Sequence, residues 1–364
     1  MMRQRIETLD GLRFMAALGV LWIHAWSYCG NPRFYIGRFD VASLLAIGGN
    51  GVDLFFVISG FCMYYFYASK TDFSYHDFCR FLIKRWARLS PAFYAATLVY
   101  AFIHILTFQY RNSDLLHVIV SVFYLNSVLP QFNVASHFWT LGVEWQFYLI
   151  VPFLLIYQNK AGFRNTFKLI FGTLLLMAIV ITGVFKNQSD YFTDQIFFRG
   201  IEFGFGVLAA RLLRSSVVCF TSRIFWFFTL LLTTYIGRVL ISAPVLNLSL
   251  NYHNFFKLAG FSLLSAGFAG ILYLSVTSVK WLNRLLGNRV FKTMGKISYS
   301  FYLWHVLVIP VVTVYTRKYM PAGQGFLTPV VITIFSAVVL YPVSLLSYHV
   351  LEKPFLSIGN LSTK

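Results

Sequence analysis

Residues 327–350 read LTPVVITIFSAVVLYPVSLLSYHV, a run of 24 residues that contains no Asp, Glu, Lys or Arg. A helix needs about 20 consecutive apolar residues to cross the ~30 Å hydrocarbon core of a bilayer. Within that core the backbone must satisfy its own hydrogen bonds, which favours a helix over an open structure. This stretch therefore predicts a transmembrane helix.

The composition of the whole chain indicates the same class of protein. The 364 residues are 58% hydrophobic and only 12% charged, with a mean hydropathy of +0.68. Soluble domains are about 25% charged, so this chain has too few charged residues to cover a water-facing surface. The composition excludes a cytosolic enzyme, a disulfide-stapled scaffold and a disordered chain, and it predicts an integral membrane protein.

Ten apolar segments reach the length of a membrane span, so the predicted fold is an all-α polytopic membrane protein that forms a single domain over residues 1–364. An eleventh apolar run, 115–129, is shorter and is closed by Pro130. Its hydropathy alone does not decide whether it crosses. The ten predicted spans are 12–28, 44–67, 89–108, 138–157, 167–185, 196–213, 224–241, 255–276, 297–315 and 327–350.

The basic residues favour ten spans over eleven. The chain has 30 Lys and Arg against 12 Asp and Glu, a net charge of +18. Such a surplus can indicate nucleic-acid binding, but here the basic residues form short clusters between apolar runs, so no nucleic-acid partner is predicted. With ten spans and a cytoplasmic N-terminus, 21 of the 30 basic residues lie on the cytoplasmic side, as the positive-inside rule requires. We therefore predict that both termini are cytoplasmic and that 115–129 is re-entrant or interfacial.

The cysteines do not indicate a metal or disulfide framework. The four of them are scattered, with no Cys-x-x-Cys pair and no regularly spaced Cys and His set. We therefore predict no metal site and no permanently bound cofactor.

The first predicted span carries two ionisable residues. Arg13 and His24 are eleven residues apart, which places them on nearly the same helix face and about 16 Å apart along the axis. Ionisable groups at membrane depth are costly and mark a function or a compensated pair. The alternative interpretation is that Arg13 extends to the headgroups and His24 is a core histidine.

Two carboxylates are predicted at a depth similar to that of His24. Asp53 lies in the outer part of the second span, and Glu144 lies about two turns into the fourth. An imidazole with a carboxylate partner can activate a hydroxyl as a general base. The alternatives are that Asp53 caps the start of its helix and that Glu144 has a structural role.

Other polar residues suggest where two substrates would bind. Arg85 and Arg88, at i and i+3 before the third span, can form a forked contact with phosphate oxygens, although membrane anchoring would require the same residues. On the outer side, Arg199 and Glu202 are one turn apart and either border an acceptor cleft or form an ion pair. His137 and Trp139, which open the fourth span, are assigned to the same candidate cleft.

Taken together, several segments resemble the acyltransferase 3 family. The matching segments are 9–24, 51–61, 85–88, 139–152, 298–305 and 352–355, and they occur in the family's order over nearly the whole chain. The resemblance implies a bacterial inner-membrane protein of ten spans that O-acylates an extracytoplasmic carbohydrate with cytoplasmic acyl-CoA, typically acetyl-CoA. It also implies that His24 is the essential histidine.

The resemblance assigns further roles, with one departure from the family pattern. Arg13, Arg85 and Arg88 match the family's functional arginines near the donor. The family often has two acidic residues where this chain has Glu144 followed by Trp145, so Glu144 would act alone or with Asp53.

The expected mechanism is that His24 deprotonates a sugar hydroxyl, which then attacks the thioester. A transient acyl-histidine is the alternative chemistry, and a transporter or flippase of an acylated glycolipid is the alternative function. The expected partners are membrane lipid, acyl-CoA as co-substrate and the carbohydrate acceptor, and a homo-oligomer is left open.

Overall fold

A computed structural model describes residues 6–33, 35–37, 39–40, 49–68, 73–107, 114–184, 189–215, 222–241, 250–277, 280–319 and 327–356. Nearly all of these residues are helical, which confirms the predicted all-α fold. A two-residue antiparallel ribbon, β1 (Tyr35–Ile36) with β2 (Phe39–Asp40), is the exception.

The described part of the chain contains fourteen α-helices. In chain order they are α1 (Glu7–Tyr28), α2 (Gly51–Tyr67), α3 (Tyr75–Leu106), α4 (Asp114–Val122), α5 (Trp139–Ala161), α6 (Phe163–Val184), α7 (Ser189–Thr193), α8 (Ile196–Ser215), α9 (Arg223–Ile241), α10 (Leu250–Thr277), α11 (Lys280–Leu286), α12 (Arg289–Lys296), α13 (Ser298–Tyr319) and α14 (Leu327–Ser347). A π-helical turn, Tyr348–Glu352, extends α14.

Each of the ten predicted spans coincides with a helix. By length and composition, seven helices of the described part of the chain can cross a membrane, and they fit a multi-pass membrane protein. The other three predicted spans fall on α1, α2 and α8. Of these, α2 is short at 17 residues, whereas α1 and α8 carry ionisable residues within their length. The count of ten and the orientation stay predictions, and residues 44–48, 108 and 185 of the predicted spans, like both termini, lie outside the described residues.

The third span begins earlier than hydropathy predicts. The prediction starts at residue 89, but α3 begins at Tyr75 and has 32 residues. The Ser74 side chain accepts a hydrogen bond from the Asp77 backbone N–H, and the Asp77 carboxylate accepts one from the Ser74 N–H. This capping box starts the helix in a polar stretch, and it places Arg85 and Arg88 on the same rigid helix as the apolar segment.

The segment 115–129 does not cross as a continuous helix. Helix α4 has nine residues, about 14 Å at 1.5 Å per residue, which is less than half of the hydrocarbon thickness. Turns and two short 3₁₀ segments follow. The Tyr124 and Ser90 hydroxyls are 2.8 Å apart, and the Gln146 amide donates to Ser127 Oγ at 2.9 Å. These bonds tie the turns to α3 and α5, as a re-entrant or interfacial segment requires.

The described helices group into two compact units. Of the described residues, unit 1 comprises those within Phe56–Val279 and Phe355–Lys364, and unit 2 comprises those within Arg5–Phe55 and Lys280–Pro354. Unit 1 therefore holds α3 to α10, and unit 2 holds α1 and α11 to α14.

Unit 1 is held together by stacked aromatic rings and close helix contacts. The Phe203 ring on α8 stacks on Phe147 of α5 at 4.0 Å and on Phe56 of α2 at 4.7 Å between centroids. A Cβ atom at Gly60 would lie 2.1 Å from the Phe203 carbonyl oxygen, and one at Gly206 would lie 2.0 Å from the Val57 carbonyl oxygen. Only glycine permits α2 and α8 to approach so closely, because any larger residue would collide with the backbone of the facing helix.

Unit 2 is built around α1. The buried residues Leu21 and Ala25 of α1 pack with Phe301 and Ile309 of α13 and with Leu340 of α14. These contacts fix α1 against α13 at the level of residues 21–25. In a membrane such helices associate through close van der Waals packing, and this packing sets the position of the polar residues between the two helices.

Candidate functional site

His24 lies one turn before the end of α1 and is half-buried. Its ring centroid is 4.8 Å from that of His305 on α13, and the ring planes are inclined by 60°. The His305 side chain is almost fully buried, with 1% of its surface exposed. The sequence comparison used His305 only as part of a motif, so this pair of imidazoles was not predicted. The available signal was an ionisable residue inside the apolar segment 297–315, which membrane energetics marks as functional.

The His305 ring is held by the backbone of its own helix. Its Nδ1 atom lies within hydrogen-bonding distance of the Tyr302 carbonyl oxygen. A carbonyl can only accept, so Nδ1 carries the proton and Nε2 keeps its lone pair in the neutral ring. The Tyr302 ring is buried and packs against Phe55 of α2 at 6.1 Å between centroids. The His305 tautomer is therefore set by the structure of α13.

Asp53 is buried in the first turn of α2. The Asn50 side chain donates a hydrogen bond to Asp53 Oδ2 at 2.9 Å. A carboxylate in the first turn interacts favourably with the helix dipole, so the geometry is that of a helix-start residue. A catalytic part for Asp53 stays a prediction.

Arg13 lies on α1 as predicted, where it is paired with an acidic residue. Its Nη1 atom is 3.4 Å from Asp10 Oδ1, and the side chains are 20% and 6% exposed respectively. Asp10 was not among the predicted site residues, although it lies one turn before Arg13 in the sequence. The pair leaves the Arg13 guanidinium partly open to solvent, which a donor-binding cation would need.

Glu144, in unit 1, is half-buried on α5. One carboxylate oxygen, Oε1, accepts a hydrogen bond from Ser59 Oγ at 2.9 Å and a second from the Tyr148 hydroxyl. Two hydroxyl donors on one oxygen stabilise the ionised carboxylate. Glu144 therefore belongs to a polar cluster formed by α2 and α5, a setting that the apolar residues around it in the sequence did not reveal.

Arg85 is connected to the same cluster through aromatic side chains. Its Nη2 atom donates to the Tyr67 hydroxyl at 3.3 Å, and its guanidinium carbon lies 5.8 Å from the Tyr148 ring centroid. Contacts of this length are typical of cation–π interactions. Arg88, one turn later on α3, is half-buried. The predicted i,i+3 pair is thus on one helix, and Tyr148 contacts both Arg85 and Glu144.

Two further arginines lie at the last turns of α2. Arg214 on α8 donates to the Tyr65 carbonyl oxygen at 3.2 Å, and Arg211, on the same helix, lies near the Tyr64 side chain. With Arg85 on Tyr67, three guanidinium groups lie near the C-terminal end of α2, the negative end of its dipole. Arg211 and Arg214 are among the 21 basic residues that the predicted topology places on the cytoplasmic side, and no binding role was predicted for them.

Arg199 and Glu202 form a buried ion pair on α8, with Nη1 and Oε1 2.8 Å apart. The Arg199 guanidinium also lies 4.1 Å from the Phe261 ring centroid and 5.0 Å from that of Trp139. Two residues predicted for the acceptor cleft, Arg199 and Trp139, are thus brought together. Glu202 has no exposed surface and Arg199 is 8% exposed, and they form the ion pair that the sequence analysis named. Their place at the border of an acceptor cleft stays a prediction.

His137 is buried in a 3₁₀ turn just before α5, with 4% of its surface exposed. Its ring packs edge-on against Tyr100 of α3 at 5.8 Å between centroids. The His137 ring is therefore packed against protein, and its assignment to the cleft stays a prediction.

The predicted site residues are divided between the two units. Arg13, His24 and Asp53 belong to unit 2, whereas Glu144, Arg85 and Arg88 belong to unit 1. Each unit therefore supplies one part of the expected chemistry, an imidazole site in unit 2 and a carboxylate with nearby arginines in unit 1. The pairing of His24 with Glu144 stays a prediction.

A helical multi-pass protein with ionisable side chains placed within its helices is the class that the fold and these sites define. The model of the acyltransferase 3 family, described as an acyltransferase domain, matches residues 6–349. The chain belongs to this family, as the sequence motifs indicated.

Relatives with assigned names are similar over almost the whole of this chain. A Staphylococcus aureus protein named "Putative O-acetyltransferase" is 25% identical over 96% of this chain and 57% of its own length. A Bacillus subtilis protein named "Putative peptidoglycan O-acetyltransferase" is 26% identical over 97% and 55%. The Listeria monocytogenes peptidoglycan O-acetyltransferase OatA is 25% identical over 85% and 50%. This chain therefore spans about half the length of the relatives it matches. No solved structure matches it.

Proposed function

We propose that the protein transfers an acyl group, acetyl by analogy with its relatives, from acyl-CoA at the cytoplasmic face to a hydroxyl of an extracytoplasmic carbohydrate. The observation that carries this proposal is the half-buried His24 on α1, beside a second imidazole and on the same helix as Arg13. A protein that only moves a lipid needs no such nucleophile-activating group. The family and the names of the relatives support acyl transfer to a carbohydrate.

The reaction requires a group that accepts the proton of the attacking hydroxyl. The ring nitrogen of neutral His24 that carries no hydrogen takes the proton of the acceptor hydroxyl, while the hydroxyl oxygen attacks the thioester carbonyl carbon. The new C–O bond forms, the C–S bond breaks, and the imidazolium of His24 returns the proton to the departing coenzyme A sulfur. The sum is an ester and free coenzyme A, with His24 unchanged. His24 is the catalytic residue in this scheme.

Glu144 is proposed to stabilise the positive charge that His24 acquires, with Asp53 as a second carboxylate. Glu144 Oε1 accepts hydrogen bonds from the Ser59 and Tyr148 hydroxyls, which hold the carboxyl group in place. An ionised carboxylate in a medium of low dielectric constant interacts strongly with a nearby cation.

The donor is proposed to bind through arginines. Acyl-CoA carries several phosphate charges, and guanidinium groups bind phosphate oxygens with two parallel hydrogen bonds. Arg85 and Arg88 would bind the phosphates, and the partly exposed Arg13 side chain would contribute to donor binding. The partly exposed setting of these groups supports this assignment.

Replacing Arg85 or Arg88 by Ala is expected to weaken acetyl-CoA binding. A hydrogen bond to a charged group contributes about 1.5–3 kcal/mol, so each change should raise the Kd by about 10–100-fold. Isothermal titration calorimetry on purified protein measures the effect. The difference from wild type should shrink at high salt, because screening weakens the same interaction in the wild type.

The matched control for these variants is Lys168→Ala, which removes a basic residue that is exposed on α6 and also predicted to be cytoplasmic. Its Kd for acetyl-CoA should equal that of the wild type. If both arginine variants bind acetyl-CoA with wild-type affinity, Arg85 and Arg88 are membrane anchors and do not bind the donor.

The location is proposed to be the bacterial inner membrane, with ten spans and both termini in the cytoplasm. The charge distribution and the short α4 support this topology. A reporter that is active only in the cytoplasm should be active when fused after Lys364 and inactive when inserted in the predicted outer loop 242–254. The opposite pattern would contradict the topology.

The proposed activity is tested by following thiol release from acetyl-CoA by the purified protein, with water as the substitute acceptor. An acyltransferase should release coenzyme A in proportion to enzyme concentration. A protein that changes glycolipid distribution in vesicles but releases no thiol would be a transporter, and the proposal would be wrong.

A further inference from the structure

We propose that His305 is the positioning residue for His24, and this inference rests on the proposed acyl transfer. The two rings lie 4.8 Å apart between centroids, at 60° to one another. The structure shows this packing of the two rings, and a hydrogen bond from a His24 nitrogen to His305 Nε2 is what the proposal adds to it. The juxtaposition joins a half-buried imidazole on α1 to a fully buried one on α13.

The tautomer of His305 determines whether its Nε2 atom donates or accepts a hydrogen bond. Its Nδ1–H is directed to the Tyr302 carbonyl oxygen, three residues earlier on the same helix. The Nε2 atom of the neutral ring is therefore an acceptor. Such an atom can receive an N–H from a neighbouring imidazole but cannot donate to it.

An acceptor at His305 Nε2 selects one tautomer of His24. When one nitrogen of the neutral His24 ring donates its N–H in a hydrogen bond to His305 Nε2, the other nitrogen of His24 carries no hydrogen. The bare nitrogen is the one that takes the proton of the acceptor hydroxyl. His305 thus performs, as a neutral ring, the orienting task for which a carboxylate is used in catalytic triads. No proton leaves His305 in this scheme, because the proton that His24 takes from the hydroxyl goes to the coenzyme A sulfur.

The separation of the two rings is fixed by the packing on either side. Leu21 and Ala25 of α1 have no exposed surface, and Phe301 and Ile309 of α13 are 1% and 0% exposed. All four belong to one hydrophobic cluster. Because these residues lie within one turn of His24 or His305, neither helix can rotate the rings apart without opening the core.

Two variants of nearly equal size separate positioning from packing. The Gln side chain offers an amide oxygen about where Nε2 lies, whereas Met has similar length but only a weak acceptor. We expect His305→Gln to keep kcat within about tenfold of wild type. We expect His305→Met to lower kcat by about 10²-fold or more, the usual size of a general-base contribution. The KM for acetyl-CoA should stay unchanged in both, because the donor-binding arginines are untouched.

The matched control is His349→Met. His349 also places Nδ1 near a backbone carbonyl oxygen, that of Leu345 at 2.8 Å, but its side chain is exposed. This variant should retain wild-type kcat and KM. Unfolding temperatures of all variants in detergent measure any loss of packing.

The outcomes distinguish this proposal from the proposed function. Retained kcat in the Gln variant with loss in the Met variant supports positioning. An equal loss of kcat in both variants means that the His305 ring only fills space. Wild-type kcat in both variants means that His24 needs no partner at this position. Either result overturns the inference. If the Met variant does not fold, the Gln variant decides, since its inactivity would also overturn the inference. A wild-type protein without acyl transfer would overturn both proposals.

Discussion

Replacement of His24 by Ala is expected to abolish measurable acyl transfer. General-base groups contribute about 10²–10⁴-fold to rate, and no other group is proposed to accept the hydroxyl proton. The change removes a half-buried side chain from the last turns of α1 and leaves the helix-forming methyl group. The rate of thiol release from acetyl-CoA measures the loss.

Acetyl-CoA affinity serves as the internal reference for this variant. Because Arg13, Arg85 and Arg88 are retained, the Kd should be close to that of the wild type. His76→Ala is the matched control, since His76 is an exposed histidine in the first turn of α3. A folded His24→Ala protein that still acylates would make His24 a core histidine.

Glu144→Gln is expected to lower the rate of acyl transfer less than His24→Ala does, but still strongly. Gln keeps the shape and one acceptor oxygen for Ser59 and Tyr148, but it removes the negative charge proposed to stabilise the His24 imidazolium. A hydrogen bond to a charged group contributes about 1.5–3 kcal/mol, so kcat should fall by about 10–100-fold. Steady-state kinetics with acetyl-CoA measures the change.

Ser59→Ala separates the charge from the hydrogen-bond network around it. This variant removes one of the two hydroxyl donors to Glu144 Oε1 while keeping the carboxylate and the Tyr148 bond. We expect kcat to fall by no more than about tenfold, the effect of one ordinary hydrogen bond. If Glu144→Gln is fully active, or if Ser59→Ala is the more damaging of the two, Glu144 is a structural residue.

The helical architecture could be predicted from the sequence because bilayer thickness imposes a length on every apolar segment. Each of the ten predicted segments coincides with a helix, and the short run at 115–129 contains only the nine-residue α4. The start of α3 was missed because it depends on a local polar motif. The Ser74 and Asp77 capping box begins the helix at Tyr75, in a stretch that hydropathy treats as a loop.

The candidate site could be predicted only in part, because sequence spacing describes one helix at a time. The Arg13 and His24 stripe and the Arg85 and Arg88 pair each lie on a single helix, as expected. The contact between His24 and His305 joins α1 to α13 and depends on how those helices pack. No periodicity within either segment contains that information.

The positive-inside rule also left the binding roles of basic residues unpredicted. It accounts for every basic residue near a predicted cytoplasmic helix end, so Arg211 and Arg214 were treated as orientation signals alone. The structure places both at the end of α2, on Tyr64 and Tyr65. A rule that explains a residue type by its compartment cannot separate a membrane anchor from a binding group.

The most direct test of the account uses inside-out membrane vesicles from bacteria that express the protein. Radiolabelled acetyl-CoA is added outside, at the cytoplasmic face, and label is measured in carbohydrate inside the lumen as ester that mild alkali releases. We predict alkali-labile label in the lumen with wild-type protein, coenzyme A release in equal amount outside, and neither with His24→Ala. Equal labelling by wild-type and His24→Ala vesicles, or no labelling by either, would contradict the account.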